Sequence, residues 1–327
     1  MSARTHKVAV VQAGSAMFDT PRTLARMEPL CERAARAGAR LVVFPEAYLG
    51  GYPKGLDFGA RVGSRSQAGR DEFLRYFSGA IPVPGPETRA LGKLALGMRA
   101  YLVVGVIERD GATLYCTALF LGPEGDLLAK HRKLMPTASE RLVWGLGDGS
   151  TLPVLETPLG RVGAAICWEN YMPLLRMAMY AQGIQIWCAP TVDEREIWRA
   201  SMRHIAYEGR CFVLSACQYL RRSDCPPDYG GPGAADPATV LIRGGSLIAS
   251  PQGEILAGPA EGPEEVLLAD IDLEDTVRGK YDLDVAGHYA RPDVFHLRVD
   301  RSARAPVTFA PGRDEAEAPP AGDGTAR

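Results

Sequence analysis

Hydrophobic residues gather into short runs closed by glycine, proline or aspartate, with longer amphipathic stretches between some of them. The runs occupy 7–13, 39–44, 100–107, 114–121, 153–156, 161–167, 184–190, 211–218, 245–250 and 265–271. They are β-branched or wholly apolar, as in Leu41-Val42-Val43-Phe44, and predict strands covered on both faces. Between 20 and 38 the period becomes helical. Leu24, Met27, Leu30, Cys31 and Ala34 share one face, Thr20 stands as an N-cap, Pro21 takes the first position and Gly38 closes the helix. Segments 88–99, 173–182 and 198–209 predict further helices, the last with Trp198, Met202, Ile205 and Ala206 on one side.

Helices separate the strands in places, but 100–107 and 114–121 follow each other across Asp110-Gly111, a hairpin signal. The pattern therefore predicts a mixed α/β protein. Two stacked sheets with helices outside them satisfy it. Residues 221–239, with clustered Pro and Gly, predict a long loop. Residues 302–327 carry few large apolar side chains and are read as a disordered tail, which leaves 1–301 as a single domain. No internal repeat is visible.

Composition narrows the classes. With 46% hydrophobic and 23% charged residues the chain reads as soluble and globular. Lys+Arg number 37 against Asp+Glu 39, so there is no basic footprint for nucleic acid. The longest apolar stretch, Tyr101 to Ile107, is far short of the roughly 20 residues of a spanning helix. No signal peptide stands at the N-terminus, and the reading is a cytoplasmic protein without membrane contact. Seven cysteines with no CxxC pair argue against a disulfide framework or a zinc site. Neither a metal nor an organic cofactor is implied.

One cysteine has informative surroundings. Cys167 ends the run 161–167 and precedes the polar Trp168-Glu169-Asn170, an elbow that presents a thiol at the rim of a sheet. A thiol attacking a nitrile or amide carbon must lose its proton to a base, and the charge that grows on nitrogen or oxygen needs a fixed cation. Glu46, after Leu41 to Pro45, and Lys133, in Lys130-His131-Arg132-Lys133, supply both at other strand ends. Taken alone, Glu46 reads as a solvated loop charge, Lys133 as part of a solvated basic run and Cys167 as a small buried hydrophobe. His131, His204 and His288 offer a Cys–His alternative, but His204 lies on or near the packed face of a helix. There is no Gly-x-Ser-x-Gly elbow, and Gly147-Asp148-Gly149 lacks the ending of a phosphate loop.

These segments together resemble the nitrilase superfamily of thiol carbon–nitrogen hydrolases. Phe44-Pro45-Glu46-Ala47, His131-Arg132-Lys133-Leu134 and Cys167-Trp168-Glu169-Asn170 look like its base, lysine and nucleophile segments, and Glu140 takes the place of its second glutamate. Met135-Pro136-Thr137, Trp144-Gly145, Gly147-Asp148-Gly149-Ser150, Cys188-Ala189-Pro190-Thr191 and Gly287-His288-Tyr289 are similar to the branch of true nitrilases. The resemblance runs from about residue 7 to about 300.

It implies a four-layer αββα sandwich and hydrolysis of an organic nitrile without a cofactor. Cys167 is then the nucleophile, Glu46 the general base and Lys133 the electrostatic clamp, with Glu140 orienting Lys133 and water. Tyr52, Trp144, Trp168, Pro190 and Thr191 are the candidates for substrate contact, each equally readable as core. The resemblance further implies a homodimer that extends into spirals, with 221–239 and 281–300 as the places for such contacts. Two other readings stay open: an amidase or carbamoylase of the same superfamily, and a non-catalytic assembly subunit. Which nitrile is taken stays open among aliphatic, arylaliphatic and aromatic nitriles, β-cyanoalanine and cyanide, with a lean to the first two.

Overall fold

Period-two alternation inside the strands sorts their side chains into separate cores, and this fixes the layers. A computed structural model describes residues 5–231, 236–305 and 307. Residues β1 (Thr5–Gln12), β2 (Leu41–Val43), β3 (Ile81–Pro82), β4 (Tyr101–Asp110), β5 (Thr113–Leu121) and β6 (Leu127–Arg132) build a first sheet. A second holds β7 (Val154–Thr157), β8 (Gly160–Ala164), β9 (Ile186–Thr191) and β10 (Phe212–Cys217). A two-stranded ribbon follows, β11 (Tyr219–Arg221) with β12 (Val240–Arg243). Strands β13 (Leu247–Ala249) and β14 (Ile255–Ala257) then extend the second sheet, and β15 (Glu265–Asp272) returns antiparallel to β1. The orders are β15-β1-β2-β4-β5-β6, with β3 beside β4, and β14-β13-β10-β9-β8-β7.

In β1, Val8 and Val10 enter a core shared with Ile186, Cys188, Phe212 and Leu214 of the second sheet. Ala9 and Val11 face the opposite way, into a core with Met27, Leu30, Leu91 and Ala95. These last four come from α1 (Thr20–Arg36) and, beyond α2 (Gln67–Gly79), from α3 (Pro86–Met98). The outer face of the second sheet buries Trp187, Ala189 and Val213 against α4 (Pro173–Ala181) and α5 (Glu196–Gly209), through Met179, Trp198, Met202 and Ile205. A short α6 (Glu274–Lys280) follows β15. The architecture is the expected αββα sandwich. Each fully buried large apolar side chain in these cores contributes roughly 1.5–3 kcal/mol.

Several local expectations change. The cap of α1 is Asp19, whose carboxylate accepts the Arg22 N–H at 2.9 Å, and Thr20 is already helical. The strand expected over 161–167 ends at Ala164. β3, β6, β14, α2, α6 and the ribbon were not foreseen. β6 escaped because Lys130-His131-Arg132-Lys133 reads as a basic cluster and not as a strand; Lys130, and His131 and Arg132 for which a structural place was expected, each reach a buried carboxylate. Most of the tail 302–327, and residues 232–235 of the expected loop, lie outside the described residues. Among the described residues no helix is long and apolar enough to cross a membrane.

Candidate active site

The carboxyl ends of β2, β8 and β9 converge where α/β sheets commonly place ligands. Glu46 follows β2, Lys133 is the first residue past β6, Glu140 lies on the 3-10 turn Ala138–Leu142, and Cys167 opens the turn Cys167–Tyr171 after β8. The Lys133 ammonium donates to Glu46 Oε1 at 2.7 Å and to Glu140 Oε2 at 2.8 Å. Glu140 also accepts the Tyr52 hydroxyl at 2.8 Å and the Thr137 N–H at 2.6 Å. The Cys116 thiol points at Glu46 Oε1 at 3.6 Å, while Glu46 Oε2 is buried and has no hydrogen-bond partner.

This arrangement tunes the three groups differently. Burial, aided by the charge of Glu140, lifts Glu46 to about 7 against the pull of Lys133. Burial works to lower Lys133, but Glu46 and the other anionic groups outweigh it and hold the ammonium well above its ordinary range. Burial and then Glu46 push the Cys167 thiol up; Lys133 and a hydrogen bond from Thr191 pull it back. The thiol therefore rests protonated beside a carboxylate poised near neutrality, which suits transfer of its proton during attack.

Backbone strain falls at Cys167 and beside Glu46 and Glu140. Ala47 (φ 49°), Ala138 (φ 47°) and Cys167 (φ 50°) are left-handed without being glycine, at a cost of about 1–3 kcal/mol each. Side chains hold these turns. Gln218 Nε2 donates to the carbonyls of Glu46 and Ala47 at 2.7 and 3.3 Å. Asn170 Nδ2 donates to the carbonyls of Ala165 and Cys167, and its Oδ1 accepts the buried Trp187 indole N–H. The Glu169 carboxylate takes the N–H of Ile166 and of Leu134 and pairs with His131 at 2.9 Å, tying the nucleophile turn to the lysine segment. Gly105 of β4 passes so close beneath Glu46 that a Cβ there would stand 2.6 Å from the Glu46 Cα.

Residues 7–281 match the carbon-nitrogen hydrolase family. The chain belongs to that family. It is 56% identical over 313 residues to a bifunctional nitrilase/nitrile hydratase of Lupinus angustifolius, covering 94% of this chain and 90% of that one. It is 54% identical over 301 residues to an aliphatic nitrilase of Sinorhizobium fredii, covering 92% and 97%. Among solved structures, Nit3 of Saccharomyces cerevisiae, a member of branch 10 of the nitrilase superfamily, superposes with a TM-score of 0.67 at 23% identity, covering 88% of this chain and 97% of that one.

Beside Cys167 the hydrolase has a cavity of about 220 Å³, walled by Tyr52, Lys54, Glu140, Trp168, Val192 and Arg195 among others. Of the five side chains expected to meet substrate, Tyr52 and Trp168 line it. Trp144, Pro190 and Thr191 do not. Trp144 is 3% exposed, donates to the Tyr76 hydroxyl at 3.1 Å and packs its ring 5.5 Å from the Lys133 ammonium. Pro190 is buried within β9, and the Thr191 hydroxyl donates instead to Cys167 Sγ at 3.2 Å. Trp168 is steadied from outside: its indole N–H donates to Asp193 at 2.8 Å, and Arg195, paired with Asp193, lies over its ring. Sequence reasoning did not find roles for Cys116, Asn170, Glu169 or Gln218. Alternation along Lys130-His131-Arg132-Lys133 was the available signal, since it sets His131 and Lys133 on one face. No cluster of three or more His, Cys, Asp or Glu side chains among the described residues is arranged to hold a metal.

Proposed function

We propose that this protein hydrolyses organic nitriles to carboxylic acids and ammonia through a covalent intermediate on Cys167. One observation carries the mechanism: Glu46 keeps a buried oxygen without a partner while Lys133 fixes the other, next to a thiol whose charge it opposes most strongly of all neighbouring groups. A base with a free lone pair beside a nucleophile is what thiol attack requires. The names and high identity of the relatives from lupin and Sinorhizobium support the nitrile as substrate.

Glu46 takes the Cys167 proton as sulfur attacks the nitrile carbon, then passes it to the nitrogen, giving a thioimidate. Lys133 and the backbone N–H of Trp168 stabilise the charge. Water, deprotonated by Glu46 and oriented with Glu140, adds to the thioimidate. The tetrahedral adduct releases ammonia and leaves a thioester, and a second water frees the acid. Expulsion of sulfur from the same adduct gives the amide. The cavity of about 220 Å³, with Lys54, Glu140, Glu194 and Arg195 in its wall, favours a short nitrile over a bulky aromatic one.

Assembly into homodimers and longer arrays belongs to this reading. Exposed Leu174 on α4, with Tyr281, Tyr289 and Phe295 beyond α6, supports it. Size-exclusion chromatography showing an active monomer would contradict it. The compartment proposed is the cytoplasm. The chemistry is tested by acid-quenching the enzyme during turnover of a short aliphatic nitrile and weighing the Cys167 peptide. An acyl or imidoyl mass on Cys167 is expected; an unmodified peptide under every quench condition contradicts the covalent route.

A further inference from the structure

Thr191 closes β9 with its side chain fully buried. Its Oγ1 accepts the Asp193 backbone N–H at 2.9 Å, so one lone pair is engaged and the single hydroxyl proton is directed elsewhere. It is directed to Cys167 Sγ, 3.2 Å away. A β-branched side chain at a strand end is stiff at χ1, which holds this aim. Among the described residues Thr191 is the one hydrogen-bond donor placed on that sulfur. The Lys133 ammonium is committed to the carboxylates at 2.7 and 2.8 Å. Thr191 itself does not line the cavity beside Cys167, so the contact takes no room from a substrate there.

We propose that the Thr191 hydroxyl is a catalytic group that stabilises charge on the Cys167 sulfur and thereby sets the share of amide among the products. This rests on the nitrile-hydrolysing reading above. The tetrahedral adduct carries R, OH, NH2 and the Cys167 sulfur on one carbon. In one collapse the ionised Glu46 takes the proton of the adduct hydroxyl and delivers it to the nitrogen as the C–N bond breaks, leaving thioester and ammonia. In the other the C–S bond breaks and its electron pair goes to sulfur. The hydroxyl proton passes to Glu46 and amide departs; Glu46 then reprotonates the thiolate. Thr191 donates to sulfur in both ground states, but its hydrogen bond strengthens only when sulfur becomes anionic. It therefore favours two steps, the initial ionisation of the thiol and the expulsion of sulfur, and does nothing for loss of ammonia.

The test compares wild type with Thr191→Val, Thr191→Ala and Thr191→Ser. Two quantities are read: the acid-to-amide ratio from a short aliphatic nitrile, and the pH profile of Cys167 alkylation by iodoacetamide, located by peptide mass spectrometry. Loss of the hydroxyl is expected to slow alkylation roughly ten-fold at a given pH, to move its rise to higher pH, and to reduce the amide share several-fold. Thr191→Ser is expected to return both towards wild type, which a purely structural role would not produce. Thr191→Ala serves the same comparison should valine prevent folding. An unchanged alkylation profile in both hydroxyl-free variants overturns the proposal. So does a normal or increased amide share, or a wild type that releases no amide from any nitrile it turns over. A wild type inert to nitriles whose alkylation still depends on Thr191 overturns the nitrile reading and supports the sulfur contact alone.

Discussion

Glu46 and Glu108 are both buried carboxylates, on opposite faces of one sheet, and they have been put to opposite states. Residues on β5 and at the end of β6 alternate between them: Cys116 and Lys133 go to Glu46, while Thr117 and Arg132 go to Glu108. Glu108 is saturated. Its two oxygens receive Lys130 at 2.6 Å, Arg132 at 2.6 and 3.0 Å and Thr117 at 2.8 Å. Burial works to raise it, but these donors outweigh burial and hold it below the ordinary carboxylate range. Glu46 shares a single ammonium with a second carboxylate and keeps one oxygen unpaired, and it is lifted to about 7. Burial alone does not make a base. An incomplete set of donors does, and the strain at Ala47 together with the Gln218 contacts shows what it costs to hold such a group in place.

Neutralising each carboxylate should separate the two regions most widely. Glu46→Gln is expected to lower kcat by roughly 10³-fold with the fold intact, as loss of a general base does. Glu108→Gln should instead lower stability by about 3 kcal/mol, leaving the Arg132 and Lys130 charges partly uncompensated, with kcat within a few-fold of wild type. Steady-state kinetics and urea unfolding of both variants check this; equal kinetic damage would dissolve the distinction. Next in size is Gly105→Ala. Its new Cβ would meet the Pro45 carbonyl at 2.4 Å and the Glu46 Cα at 2.6 Å, so the base must move, and about 10²-fold in kcat is expected with binding less affected.

A smaller, graded effect lies in the pH dependence. Glu46 accepts the thiol proton only when ionised, so kcat/KM should fall as pH drops through about 7 rather than near its ordinary 4.5. Lys133, held well above 10.5, stays charged throughout and contributes no alkaline loss below that value. Glu108 behaves in the opposite sense. Its folded value is depressed, so its stabilisation is complete above 4.5 and is lost only as pH falls below that. Glu108→Gln should therefore leave the acid limb of kcat/KM where it was; a limb that moves with Glu108 would tie the two carboxylates together.

The sequence made the layers and the central cluster legible for different reasons. Apolar runs such as Leu41 to Phe44 and the helical stripe from Leu24 to Ala34 carry their burial in their own composition. Cys167, Glu46, Lys133 and Glu140 were visible because short motifs surround each. What stayed hidden depends on partners distant along the chain. β6 did not show as a strand because its charges are neutralised by Glu108 and Glu169, far away in sequence. Trp144 and Pro190, candidates for substrate contact that were equally readable as core, lie buried, since an aromatic ring or a proline beside a motif says nothing of which way it faces. The Thr191 contact needs β8 and β9 side by side before hydroxyl and sulfur can meet.

The central claim is nitrile hydrolysis at Cys167, and it is tested most directly by ammonia and acid release from a nitrile panel, wild type beside Cys167→Ala. The panel holds an aliphatic dinitrile, phenylacetonitrile, 3-phenylpropionitrile, benzonitrile and β-cyanoalanine. Acid from at least one of them with wild type, and none with Cys167→Ala, is the expected result. Silence on every nitrile, with turnover of the matching amides, would contradict it and place the enzyme among the amidases of its family.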